Sequence, residues 1–299
     1  MCAQIRKVLS EDRDQILEIS RHIWEGHDYL PFVFDEWLKD PACSTHGVVI
    51  KDRVVAVANL RIIENGRTGW MEGLRVHPDF RRKGFADALT EHVVRMGGQL
   101  GVQRLRYTTS TENEASLKLA EKYGFSKILE MSVSRHPNPI MSPPPQKIYV
   151  RESDPQEVYR LLKGNPSIIP HRILIYDWKA RDANLENFKT LGAFHSFYVA
   201  SRTQGPNSLS LGYLRKRPEQ PRWTFTIFAA DEEGFLAHLY HNISIALQQG
   251  KTPIMGTHDI IFEKNLQSLG WATDEFWGTR LVLLERSLGG ERPSSIERF

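Results

Sequence analysis

Five prolines fall between His136 and Gln146, at positions 137, 139, 143, 144 and 145 of the run HPNPIMSPPPQ. Each removes a backbone donor and pushes the preceding residue away from helical angles, so the stretch 137–146 reads as an extended linker. At 299 residues the chain exceeds one small core, and the linker divides it into two parts, 1–136 and 147–299, each long enough to bury its own interior. A content of 40% hydrophobic and 25% charged residues excludes a disordered or fibrous chain. The 39 basic and 36 acidic residues nearly cancel, so no nucleic-acid partner is expected. No apolar run approaches the roughly 20 residues that span a bilayer. The opening MCAQIRKVLSEDRDQ also lacks a signal-peptide core, so we expect a cytoplasmic chain with no membrane partner. Cys2 and Cys43 form no disulfide framework or metal spacing, and the pair His238 and His241 lacks a third ligand, so no metal is expected.

The first part alternates between the two periods of regular structure. Ser10 is placed to cap a helix whose apolar face is Ile16, Ile19 and Ile23. Val48 to Ile50 and Val54 to Leu60 are β-branched runs joined at Lys51-Asp52-Arg53, a hairpin pattern. Trp70 to Val76 and Leu105 to Thr109 read as strands, as does Ile128 to Val133. Phe85, Ala88, Leu89, His92, Val93 and Met96 mark an amphipathic helix, and Asn113 to Lys122 a second one. The order β-α-β-α-β predicts a mixed sheet covered by helices, an α/β (α+β) class.

The chemistry concentrates between a strand and that amphipathic helix, in Arg81-Arg82-Lys83-Gly84-Phe85-Ala86. Gly84 permits a tight turn, and small Ala86 lets a ligand approach the first helical turn. Several backbone N–H groups converge there, where the helix dipole favours an anion. Arg81, Arg82 and Lys83 add positive charge, and a pyrophosphate fits the description. An ordinary basic strand-to-helix turn would carry the same six residues.

A second pattern follows at Asn113-Glu114-Ala115-Ser116, running through Leu119 to Tyr123-Gly124-Phe125. Together the two segments resemble the acetyl-CoA site of the GNAT N-acetyltransferase superfamily, over about residues 3 to 135. The resemblance implies acetyl-CoA as co-substrate, with its pyrophosphate on the backbone amides of the 81–86 turn. It implies that the strand Trp70–Val76 splays from its neighbour and binds the pantetheine arm through the main chain of Leu74 and Val76. Arg75 and Phe85 fall within the same binding stretch, and Asn113 and Ser116 fall at the pantetheine arm. It also implies that the N–H of Leu74 holds the carbonyl oxygen as charge develops, and that Glu72 faces the acceptor as general base. A strand carboxylate paired with Arg75 or another cation is the alternative for Glu72. The chain departs from the pattern at Ala120, where many members carry the tyrosine that protonates the departing thiolate. Tyr123, three residues on, lies on another helix face and is expected to pack at the helix end.

A narrower resemblance concerns the acceptor. Glu25-Gly26-His27-Asp28-Tyr29-Leu30-Pro31, then Trp37 to Asp40, are similar to segments of the vertebrate histidine N-acetyltransferase family. So are Met71 to Val76, Ile175-Tyr176-Asp177-Trp178 and Trp223 to Phe228. This implies a small amine or free amino acid as partner, histidine or a relative, acetylated directly in a ternary complex. Arg75 could meet its carboxylate, while Asp28 and Tyr29 could hydrogen-bond an imidazole, although Asp28-Tyr29 could equally form a turn that seats Leu30 and Pro31. Asp177 and Trp178 are the second-half candidates for the acceptor site. A protein or peptide acetyltransferase, or a silent acyl-CoA-binding module, are the alternatives.

Beyond the linker, helical runs at Pro155–Lys163 and Asp231–Gln249 alternate with strand-like runs at Phe194–Ala200, Ser208–Leu214, Trp223–Ala229 and Leu281–Leu284. Phe262 to Trp271 echoes the helix-then-Gly-aromatic ending at Tyr123–Phe125. No Arg-x-x-Gly-x-Gly/Ala turn recurs, so the second part is expected to be a degenerate GNAT-like domain without a pyrophosphate loop, with an unrelated α+β domain as the alternative. Closing the acceptor pocket is its conjectured role.

Overall fold

The computed structural model describes residues 3–23, 28–136, 148–202, 205–215, 221–250, 254–269, 272–273 and 280–289. The proline-rich linker, Cys2, the segment Glu25-Gly26-His27 and the Gly270-Trp271 echo lie outside the described residues. Two compact units emerge, and neither is continuous in the chain. The first comprises 1–107, 114–127 and 284–298, and the second comprises 108–113, 128–283 and residue 299.

The first unit opens with β1 (Gln4–Lys7), α1 (Arg13–Arg21) and α2 (Leu30–Lys39), then β2 (Cys43–Ile50), β3 (Arg53–Ile63) and β4 (Thr68–Val76). It continues through α3 (Phe85–Gln99), β5 (Arg104–Ser110) and α4 (Glu114–Lys122). The strand order is β1-β2-β3-β4-β5, antiparallel until the parallel β4/β5 pair. The hairpin at 51–52 is a tight turn in which Lys51 and Asp52 both take positive φ, matching the right-handed twist of the flanking strands. Ile16 and Ile19 are buried against Leu30, Phe34, Trp37, Val54 and Val57, so α1 and α2 cover one sheet face. The helix α3 takes the other face: a Cβ on its Gly97 would lie 2.8 Å from Leu105, and one on Gly69 of β4 would lie 2.6 Å from the same side chain. Ser10 is not the cap of α1. The Asp12 carboxylate takes the Leu9 N–H at 2.8 Å and the Arg6 guanidinium at 2.6 and 2.8 Å, because an acid two residues on satisfies both the turn and a cation.

The second unit contains β6 (Ser126–His136), β7 (Tyr149–Ser153), α5 (Pro155–Gly164), the hairpin β8 (Ile173–Tyr176) and β9 (Lys179–Asp182), and α6 (Leu185–Gly192). It goes on with β10 (Ser196–Arg202), β11 (Gly205–Arg215), β12 (Arg222–Ala229), α7 (Glu232–Gln248), β13 (Ile254–His258), α8 (Glu263–Ser268) and β14 (Ala272–Thr273). A last strand, β15 (Arg280–Ser287), runs out of it. Its sheet reads β7-β10-β11-β12-β13-β6, antiparallel except for the parallel β12/β13 pair. The first unit's sequence of three antiparallel pairings and then a parallel one is thus repeated. Trp223, Phe225 and Ile227 pack with Phe235, Leu239 and Ile243 of α7 to form this unit's core.

Candidate active site

The strand β4 is bent by its own sequence. Asn59 faces Glu72 and Val57 faces Arg75, so two residues, Gly73 and Leu74, stand opposite Ala58 alone. This bulge leaves one residue without a ladder partner and re-aims the strand. Gly73 is required twice over. Its φ is +73°, which disfavours a side chain, and a Cβ there would lie 2.4 Å from the buried Trp37 ring of α2. The bulge also puts Glu72 and Arg75, three residues apart, on one face of the sheet. On its other side β4 pairs with β5 only over Thr68–Trp70 against Arg104–Arg106, and the ladder then stops.

The turn after β4 meets the requirements of an anion cradle. Arg81, Arg82, Lys83 and Gly84 are exposed, Arg82 and Gly84 take φ of +59° and +82°, and Gly84 is the N-cap of α3. No side chain caps this helix, so the first-turn N–H groups point outward with the positive end of the dipole behind them. A Cβ on Gly84 would meet no protein atom within 4 Å. That open backbone surface is what a pyrophosphate needs, and acetyl-CoA fits the residues present. Arg81 Nε lies 3.4 Å from the Val76 carbonyl, and Lys83 Nζ donates to the Asp79 carbonyl at 2.8 Å, which ties the basic side chains to the turn. Phe85 and Ala86 are half-buried at the helix start.

The matching position of the second unit is closed. There Asp231 caps α7 with its own carboxylate on the Gly234 N–H at 2.8 Å, followed by Glu232 and Glu233. Built-in negative charge occupies the place where an anion would bind. The parallel pair β12/β13 also stays zipped over five residues, Trp223–Ile227 against Ile254–His258.

Glu72 is 10% exposed, and its Oε1 accepts from Asn59 Nδ2 at 2.9 Å and from Arg61 Nε at 3.3 Å. Its cation is therefore Arg61, not Arg75. Arg75 instead donates from Nε and Nη2 to the two oxygens of Asp28 at 3.1 and 3.0 Å, and from Nη1 to the Leu74 carbonyl. Its guanidinium also lies 5.3 Å from the Tyr29 ring centre. Asp28 is 1% exposed, and burial pushes the Tyr29 hydroxyl up to about 12, against the pull of Arg75. Cys43, on the same face, takes a contact from Asn59 Nδ2 at 3.4 Å, and burial pushes its thiol up.

On α4, Ala120 is buried and the Ser116 carbonyl accepts the Tyr107 hydroxyl at 3.2 Å. The Tyr123 hydroxyl donates to Asp87 at 3.0 Å, and burial pushes it up to about 12. Asn113, which falls in the second unit, donates to the Thr109 hydroxyl at 3.1 Å. Also in that unit, Asp177 and Trp178 form the β8–β9 turn with positive φ at both residues. The Asp177 carboxylate accepts from Tyr213 and, at 2.9 Å, from Arg215, and the Trp178 carbonyl accepts from Thr108. The sequence signals missed Asn59 and Arg61. They sit at the end of a run that reads only as strand, and the spacing of two polar residues, Asn59 and Arg61, two apart, was their one trace.

The first unit thus combines a parting parallel pair, a bulged strand and a bare glycine-started helix. Residues 10–125 match the family model described as "Acetyltransferase (GNAT) family". The chain is 38% identical over 86 residues to a histidine N-acetyltransferase of Scomber australasicus, covering 29% of this chain and 26% of that one. It is 26% identical over 184 residues to a histidine N-acetyltransferase of Xenopus tropicalis, covering 56% of each. The matches thus span about a quarter to half of those relatives' lengths. A tandem GNAT protein from the clavulanic acid biosynthesis pathway superposes with a TM-score of 0.60 at 14% identity, over 97% of this chain and 99% of that one. The fold is thus a mixed-sheet GNAT fold followed by a second, GNAT-like α/β domain. Among the described residues no helix is long and apolar enough to cross a membrane, and no three His, Cys, Asp or Glu side chains gather as a metal site.

Proposed function

We propose that this protein is an acetyl-CoA-dependent N-acetyltransferase acting on the α-amino group of a free amino acid, histidine or a related small amine. The observation that carries the reading is the uncapped start of α3 at Gly84, beside a β4 that has left β5. When bound, acetyl-CoA supplies a thioester activated toward amines. The N–H groups of Gly84, Phe85 and Ala86, with Arg81, Arg82 and Lys83 around them, hold the pyrophosphate. The main chain of Leu74 and Val76 receives the pantetheine arm, with Ser116 on α4 as its further contact. The Leu74 N–H, in the bulged stretch of β4, serves the carbonyl oxygen as negative charge grows on it. Glu72 takes the proton from the attacking amine, directly or through one water. Burial pushes the Cys43 thiol up, so among the described residues no cysteine offers a ready thiolate for an acetyl-enzyme, which favours direct transfer. Ala120 supplies no acid, and a thiol of pKa about 8.5 can leave without one.

Histidine enters through the relatives' names together with Asp28, Tyr29 and Arg75. An acceptor carboxylate competes with Asp28 for Arg75, and an Asp28 so displaced faces the imidazole N–H. The test is CoA release over a panel of histidine, histidine methyl ester, leucine and lysine-containing peptides. Histidine should react well, its methyl ester poorly and leucine hardly at all. Equal rates on histidine and its ester would remove the carboxylate contact. Preference for peptides would make the acceptor a protein chain, and tight CoA binding without turnover would make this a silent binding module.

A further inference from the structure

Glu72 sits at the end of a polar chain that runs across three strands. Thr45 Oγ1 on β2 donates to Asn59 Oδ1 on β3 at 2.9 Å, which fixes which way the buried Asn59 amide points. Its Nδ2 then has two hydrogens and two acceptors, Glu72 Oε1 at 2.9 Å and Cys43 Sγ at 3.4 Å. Arg61, two residues along β3, donates its Nε to the same Oε1 at 3.3 Å, while its Nη1 is held by Asp40 at the end of α2. Both donors converge on one carboxylate oxygen. Oε2 of Glu72 accepts no hydrogen bond among the described residues.

We propose that Asn59 and Arg61 are positioning residues that clamp Oε1 of Glu72, so that Oε2 alone is presented as the proton acceptor for the attacking amine. The inference rests on the acetyltransferase reading and adds to it the residues that orient the base. The division is chemical: a carboxylate held by one oxygen cannot rotate, and its other oxygen keeps an unshared pair aimed at one point. Removing a donor therefore leaves Glu72 present and chargeable but no longer aimed.

The charged and titratable groups facing Glu72 are Arg61 on β3, Cys43 on β2, Asp40 after α2, and the set Asp28, Tyr29 and Arg75 at the start of α2 and on β4. A pH profile of the intact protein reads any change among them. In Asn59→Asp a second carboxylate replaces the amide at hydrogen-bond distance, and two such groups do not ionise together without cost. The acidic limb of kcat/KM should move upward by at least about one pH unit, with acetyl-CoA affinity unchanged. Arg61→Gln should lower kcat about tenfold or more with little change in acetyl-CoA KM, and Arg61→Lys should restore part of it. Arg61 is 26% exposed, so its variants test the idea even if Asn59→Asp does not fold. Glu72→Gln is the control, expected to lower kcat by roughly 10²- to 10⁴-fold. If Glu72→Gln acts so but Asn59→Asp and Arg61→Gln leave kcat and the acidic limb in place, the clamp is refuted and the base stands. If Glu72→Gln itself leaves kcat intact, the base reading falls and the clamp with it.

Discussion

Replacing Gly84 by valine separates ligand contact from fold stability at a single atom. The left-handed φ of +82° costs a side chain about 1–2 kcal/mol, and no protein atom within 4 Å adds a clash. The expected stability loss is therefore confined to that strain, a shift of roughly 2–4 °C in Tm for each kcal/mol. Valine's two methyl groups, by contrast, fill the open surface above the first turn of α3, where the N–H groups would meet phosphate oxygens. Losing two or three charge-assisted contacts of about 1.5–3 kcal/mol each weakens CoA binding by at least about 100-fold. Gly84→Ala carries almost the same backbone strain with far less bulk, so it should match the valine variant in melting and bind CoA markedly better. Calorimetric titration with CoA beside thermal melting gives both quantities. Unchanged CoA affinity in a folded Gly84→Val protein, or affinity losses equal in the two variants, would refute the cradle.

The Arg106 guanidinium is 3% exposed, with Glu285 at 2.6 Å, so Arg106→Met leaves the part-buried Glu285 carboxylate without that cation, while Glu64 keeps Arg104 at 2.7 Å. It should cost about 3–5 kcal/mol in urea denaturation, and a loss below 1 kcal/mol would show that the site relaxes. Burial depresses the His258 pKa from 6.5 to about 4, where the neutral ring meets Ser134 at 3.1 Å and the Asp259 carbonyl at 2.8 Å. The unfolded chain binds the proton first, so stability holds above about pH 6.5 and falls with a slope of about 1.4 kcal/mol per pH unit down toward pH 4. Denaturation midpoints of His258→Asn at pH 7.5 and 5 should show a shallower decline than the parent, and an identical decline would clear His258.

Much of the first unit was legible because its signals are local. The period of α3, the Lys51-Asp52 hairpin and the Gly84 turn each depend on neighbours within a few residues. The helix α2 escaped because Pro31 reads as a breaker, yet it lies in the first turn, where a missing N–H costs nothing. The Glu72 partner escaped for another reason. The sequence left open Arg75 or another cation, and the bulge at Gly73 lets Arg75 reach Asp28, 47 residues back, and leaves Glu72 to Asn59 and Arg61 of the neighbouring strand. Cross-strand register is set by the fold as a whole, and no window of a single strand contains it. The second unit, expected to be GNAT-like, repeats the strand order of the first, since topology survives where residue identity does not.

The stretch 284–289 belongs with residues 1–107, and that has a consequence for how the protein is made. The Leu288 N–H reaches the Gln103 carbonyl at 3.0 Å, Arg286 donates to the Tyr123 carbonyl at 2.7 Å, and Glu285 takes Arg106. A ribosome delivers Arg106 about 180 residues before the carboxylate that neutralises it, roughly 10–35 s at ordinary elongation rates. During that interval the first unit lacks its closing segment while most of the second unit is being synthesised. Completion of the first unit thus waits until residues 284–289 have been made. A truncated product ending before residue 284 would carry an intact 81–86 turn on a unit unable to complete its interior.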